Sequence, residues 1–295
     1  MDVGTVIAKR YEVRRVLEVG ARSTLLEAIE LESDRFVVVE WYRRFQVPGA
    51  RELLCSELAK VASLDSARVA RVYATGTEPD GSIYAVLDPP EGDSLVTVLR
   101  RQGPLPLARV VEIMLQACET VAQAHAIQLV HRDLSPETLF VTRPADGSLQ
   151  LQIRDYGARL ASYATGTEPL FEAHRYTAPE QLWPAPVADP RTDIWSLGAT
   201  MYELVSGQRP FPQAPSELPA ALTAADPPDL YALRPSLPVP FCETVMRCLA
   251  RGPAARYASI AELAAAIAQF GPARGTGVSG AMRGVLAAVK ARRLR

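Results

Sequence analysis

His131-Arg132-Asp133-Leu134-Ser135-Pro136-Glu137-Thr138 stands between a long amphipathic run and the strand-like Leu139-Phe140-Val141. Downstream, a short apolar run over 149–154 leads into Asp155-Tyr156-Gly157, followed by Ala178-Pro179-Glu180 and then Asp193-Ile194-Trp195-Ser196-Leu197-Gly198. Immediately upstream, Val110, Val111, Met114, Leu115, Cys118, Val121 and Ala122 recur at helical spacing, which predicts a helix over 107–126. Helices are also expected over 193–206 and 237–250, and Ser259 reads as the N-cap of a last one, with Glu262 at its third position.

Toward the N-terminus the period falls to two. Residues 11–19 and 25–31 read as strands joined by Gly20-Ala21-Arg22-Ser23-Thr24, and 35–42 adds the β-branched Val37-Val38-Val39, so a meander is expected. A helix over 51–64 shows Leu54, Leu58, Val61 and Ala62 on one face; strands at 69–75 and 83–87 flank the turn Glu78-Pro79-Asp80-Gly81. The strand-rich part ends near residue 88. An α+β chain is expected, with a small antiparallel β lobe plus one helix over 1–88 and a larger helical lobe over 89–270.

With 295 residues, 48% of them hydrophobic, and a net charge of −1, the chain can bury a core, which excludes disordered, collagenous and fibrous classes. Near-neutral charge provides no basic field for nucleic acid. Cys55, Cys118, Cys242 and Cys248 are irregularly spaced, so neither a zinc site nor a disulfide framework is expected, and a reduced cytoplasmic setting follows. No apolar run approaches the ~18 residues of a membrane span, and no export signal is read at the N-terminus. The chain has 24 prolines, with clusters at 184–190, 210–219 and 227–240 that mark long rigid loops.

The order and spacing of the motifs, over about residues 8–270, resemble the protein kinase superfamily, in particular bacterial Hanks-type Ser/Thr protein kinases. That resemblance implies a two-lobed fold, and a chemistry that needs phosphates and metal held, charge neutralised and a hydroxyl oriented. The positions matching the family's glycine loop are Glu18, Gly20 and Ser23, which leaves one glycine of three and adds a carboxylate that repels phosphate. Where the third strand carries the phosphate-holding lysine, this chain has Glu40, and the helix glutamate matches Glu57. A register slip of one would make Glu40 a plain solvated strand residue.

At the hinge, Leu87 matches the gatekeeper, Asp88 follows it, and Pro90, which has no N–H, takes the adenine donor position. Val38 and Phe140 thicken the adenine walls. In the catalytic loop Asp133 matches the acid that orients the substrate hydroxyl, Ser135 replaces a lysine and Thr138 replaces a metal-binding asparagine; Asp155 matches the main metal ligand. Losing one preorganised charge-stabilising group costs ~10²-fold to 10³-fold in rate, without simple multiplication of several losses. Asp133 and Asp155 also serve the fold. The family's architecture does match: Val61, Val72, Tyr156 and His131 fall at its regulatory spine, Asp193 at the anchor of that stack, and Glu180 with Arg256 at a buried ion pair.

The resemblance therefore implies a catalytically impaired pseudokinase, a regulatory or scaffolding module that binds a protein such as another kinase or a signalling protein, with no cofactor expected. The alternative is a weakly active Ser/Thr protein kinase using ATP and Mg²⁺, with Arg22 supplying the missing cation. Arg132 can receive a phosphate on Ser162, Tyr163, Thr165 or Thr167, although an unmodified loop is the plainer reading, and Ala173 stands where the family has its substrate-facing threonine. Residues 271–280 read as a flexible linker. Over 281–295, Arg283, Lys290, Arg292, Arg293 and Arg295 accompany Met282, Val285, Leu286 and Val289 on one helical face, a segment for an anionic membrane surface or a partner, or else a frayed basic terminus. Finally, Glu40 facing Glu57 at ~4 Å would cost ~4 kcal/mol at an effective dielectric of about 20. A proton on one carboxyl, an outward swing of the helix or a cation can relieve it, and Arg154 is the expected cation, pairing with Glu40 and able to bridge to Glu57.

Overall fold

The computed structural model describes residues 1–19, 23–42, 50–64, 66–89, 91–145, 147–156, 175–182 and 189–271. The chain divides into two compact units, Met1–Pro90 with Asp155–Leu170, and Glu91–Arg154 with Phe171–Arg295. Asp155 thus belongs with the first unit although a long stretch of the second precedes it in sequence.

The first unit is built on an antiparallel sheet of β1 (Val6–Ile7), β2 (Tyr11–Val19), β3 (Ser23–Glu30), β4 (Arg35–Tyr42), β5 (Val72–Thr77) and β6 (Ile83–Leu87), in the order β1-β2-β3-β4-β6-β5. Helix α1 (Ala50–Ser63) packs against β5. Alternation sends Val13, Leu26, Ala28, Val37, Val39 and Val86 to one face, where they form the core with Ile7 and Tyr11. The register pairs Glu40 with Leu25 on one side and Ala85 on the other, so the opposite face carries Leu25, Val38, Glu40 and Ala85. On that face Val38 is 2% exposed and Glu40 5%.

Strands β2, β4 and β6 have the expected bounds. Strand β3 begins earlier than expected, because Ser23 and Thr24 pair with Tyr42 and Trp41; β5 begins later, because the Val69 N–H closes a turn on the Ser66 carbonyl. On α1, Leu54, Leu58 and Val61 are buried, but Ala62 is exposed. One residue advances a helix by ~100°, which carries position 62 off that stripe, and Glu57 fills it instead.

The second unit contains α2 (Leu95–Gln102), α3 (Leu107–Ala126), α4 (Arg191–Ser206), α5 (Leu218–Ala224), α6 (Leu230–Leu233), α7 (Val239–Cys248) and α8 (Ile260–Ala268). A small sheet of β7 (Asp93–Ser94), β8 (Leu139–Thr142) and β9 (Gln150–Ile153) runs in the order β7-β8-β9. Helix α3 has the expected bounds, and its apolar stripe is buried except for Ala122, which is half-buried. Helix α4 is buried from Thr192 to Ser206. It meets α7 so closely that a Cβ on Gly198 would lie 2.4 Å from that of Cys248, which only glycine permits. Helix α7 is shorter than expected because Pro238, at its N-cap, starts it late. Ser259 caps α8 as expected, its hydroxyl accepting the Glu262 N–H at 3.3 Å. Among the described residues, no helix is long and apolar enough to cross a membrane.

Candidate functional site

In the first unit the decisive side chain is Glu40. It is buried, not a solvated strand residue, and its Oε1 accepts a hydrogen bond from Ser23 Oγ at 2.8 Å. Tyr42, two residues along the same strand and fully buried, has its hydroxyl pushed well above the ordinary phenol value, first by burial and then by the negative charge of Glu40 and of Asp155. Glu57 is 3% exposed, with its carboxylate 2.8 Å from Lys60 Nζ. Each of the two acids therefore has a donor of its own within this unit. Lys60 escaped the sequence reading, although its i,i+3 spacing from Glu57 on a predicted helix was a usable signal.

Around these, Leu87 is buried at the end of β6, Asp88 accepts the Tyr73 hydroxyl at 2.5 Å, and Glu18 is exposed at the end of β2. Asp155 holds a left-handed backbone, φ 65°, a conformation that costs a non-glycine residue ~1 to 3 kcal/mol.

In the second unit the loop from His131 to Thr138 is fastened at several points. His131 Nε2 donates to the Arg154 carbonyl at 2.7 Å while its Nδ1 accepts the Asp133 N–H at 3.3 Å, a pair of contacts that fixes the ring tautomer. Arg132 is left-handed, φ 69°. The Asp193 carboxylate accepts the backbone N–H groups of His131 and Arg132 at 2.9 and 2.8 Å and lies 2.8 Å from His125 Nε2. Burial alone would raise the Asp193 pKa; the hydrogen bond and charge of His125, with the charge and N–H of His131, outweigh it and hold the carboxyl below the usual range. His125 carried no sequence signal.

Thr138 is 6% exposed, and its Oγ1 accepts the Ser135 N–H at 3.0 Å while lying 3.2 Å from the Ser135 carbonyl and 3.3 Å from that of Asp133. That hydroxyl staples its own loop. Ser135 is buried and Asp133 half-buried. Gln181 adds a further tie, donating to the Arg132 carbonyl at 2.8 Å. The Arg256 guanidinium forks onto Glu180 at 2.6 and 2.8 Å, as expected.

Arg154 is 7% exposed. Its guanidinium lies over the Phe140 ring at 5.4 Å, and its Nε finds no hydrogen-bond partner among the described residues. The pairing expected between Arg154 and Glu40 would join residues of different units; within its own unit Arg154 stacks on Phe140. Gly20, Arg22, Pro90, Ser162, Tyr163, Thr165, Thr167, Ala173 and residues 281–295 lie outside the described residues.

The protein kinase domain family matches residues 11–264. The chain belongs to that family. Among similar kinases, serine/threonine-protein kinase PknA of Mycobacterium tuberculosis is 31% identical over 275 residues, covering 90% of this chain and 62% of PknA. PrkC of Bacillus subtilis is 28% identical over 275 residues, covering 90% of this chain and 41% of PrkC. This kinase domain thus spans only part of the length of those curated relatives. The fold is that of the PknI kinase domain of Mycobacterium tuberculosis, with a TM-score of 0.72 at 24% identity, covering 92% of this chain and 99% of that one.

Proposed function

We propose that this kinase domain is a pseudokinase, a regulatory or scaffolding module that acts by binding a protein partner. Glu40 carries the reading. It takes the place of the phosphate-holding lysine, buried and fastened to Ser23, so the strand presents a carboxylate where a nucleotide's phosphates need a cation. The other substitutions point the same way: Thr138 spends its hydroxyl on its own loop, and Ser135 supplies no charge. These residues do not fit ATP and Mg²⁺.

One observation favours a second reading, a weakly active Ser/Thr protein kinase. Asp133 and Asp155 are both retained, and Asp155 keeps a costly left-handed backbone.

Titrating ATP with and without Mg²⁺ while following the melting temperature separates the two. Saturable binding adds ~2.7 kcal/mol of stability at about a hundredfold excess over Kd. The expected outcome is no shift, and a shift of several degrees moves the assignment to the weak kinase.

A further inference from the structure

The second unit contains a cavity of about 710 Å³ bordered by none of the candidate site residues. It is formed by α2, the start of α3, β8 and the segment that follows β8. Its floor is apolar, made of Val98, Val141 and Leu149, all buried. Gly92 brings the chain flat against β8: its φ is 81°, and a Cβ there would lie 2.3 Å from the Val141 carbonyl oxygen. The volume falls in the range of formed binding sites, about 300 to 1,000 Å³.

Three guanidinium groups border this floor. Arg101 is engaged by Asp93 at 2.7 Å. Arg109 donates from Nη1 to Gln102 Oε1 at 3.1 Å, but its Nε is buried with no hydrogen-bond partner among the described residues. Neither Arg109 nor Arg143 has a carboxylate of the described residues in ion-pair contact. Burial first, then the charge of Arg143, and that of Arg101 after it, hold Arg109 below the ordinary arginine value against the pull of Glu112. Glu112 is itself held above the usual carboxylate range, chiefly by burial. Of the two acids on the border, Asp93 is engaged and Glu91 is exposed.

A buried guanidinium nitrogen left unpaired beside other cations selects for an anion, and arginine's planar fork matches a carboxylate. The apolar floor asks for more than a bare ion. We propose that this groove docks an acidic segment of a partner protein, an apolar side chain entering among Val98, Val141 and Leu149 while carboxylates meet Arg109 and Arg143. The inference goes beyond the pseudokinase reading and does not depend on it, because such a groove serves a kinase domain with or without nucleotide.

The test uses the full chain and a fluorescein-labelled peptide of interspersed glutamate and leucine, followed by fluorescence anisotropy. Saturable binding is expected, weakened about tenfold by the double substitution Arg109→Gln with Arg143→Gln. Binding should also weaken when alanine replaces leucine, fail when lysine replaces glutamate, and fall as salt rises from ~50 to ~300 mM. Arg143 is exposed, so Arg143→Glu alone keeps the fold intact, as the melting temperature checks; it should bind the acidic peptide less tightly. The proposal is overturned by an absence of saturable binding, by equal affinity in Arg143→Glu, or by complete displacement with inorganic phosphate together with indifference to the leucines, which would mark a bare anion site. Binding of phosphatidylserine vesicles without binding of the peptide overturns it as well.

Discussion

Ser23 Oγ donates a 2.8 Å hydrogen bond to Glu40 Oε1 across the β3–β4 pair. On the proposed reading the two residues stand where the family has a phosphate-facing glycine and lysine, and here the serine hydroxyl serves the carboxylate. A hydrogen bond to an ionised buried group contributes ~1.5 to 3 kcal/mol. Ser23→Ala should therefore lower stability by ~1 to 3 kcal/mol, read as a fall in urea midpoint at constant slope. An unchanged midpoint would mean that Glu40 does not depend on Ser23.

Lys60→Met tests the second acid. Glu57 is almost fully covered while Lys60 is about one-third exposed, with side-chain exposures of 4% and 34%. Solvent screens such a pair, so a loss of ~1 to 2 kcal/mol at neutral pH is expected rather than the larger cost of a fully buried ion pair. Chemical denaturation of both proteins at neutral pH provides the check, and equal midpoints would mean that Glu57 does not depend on Lys60.

Catalysis has its own test. If, as proposed, Glu40, Ser135 and Thr138 stand in place of charge-neutralising groups, Asp133→Ala should leave any background phosphorylation signal of the purified protein unchanged. Incorporation of labelled phosphate that appears in the native chain and vanishes in the variant would establish an active kinase.

Asp193 gives a pH prediction. Its folded-state pKa lies below the ordinary aspartate value of 3.8, so the group contributes stability above that value and loses it as pH falls through the folded pKa. Part of the acid limb of the stability curve, below pH 3.8, therefore belongs to this residue. Asp193→Asn should cost ~2 to 4 kcal/mol at neutral pH and flatten that limb. Equal acid slopes in both proteins would assign the limb elsewhere.

Arg256→Lys should not rescue the pair with Glu180. The Arg256 side chain is fully buried, and besides its two contacts with Glu180 it reaches the carbonyls of Arg191, Ala250 and Arg251. An ammonium cannot reproduce that fork, so a loss of ~3 to 5 kcal/mol is expected from thermal unfolding, close to that of Arg256→Ala.

Much of the fold could be read from the chain alone, since β2, β4, β6 and α3 follow local periodicities of two and 3.6. The residues that carry the proposed reading, Glu40, Ser135 and Thr138, come from the same local source, because a motif is defined by residue type and spacing. Ala62 was misread for the same local reason: one residue's rotation on a helix decides between core and solvent.

What only the tertiary structure decided is which group satisfies which. Ser23 and Glu40 are 17 residues apart, and His125 and Asp193 are 68 apart. Periodicity identifies the buried face of an element, whereas a hydrogen-bond partner depends on strand register and on how helices pack, both set by long-range burial. The grouping of Arg101, Arg109 and Arg143 over an apolar floor has the same origin: α2, α3 and the chain after β8 bring together three cations that no sequence window contains.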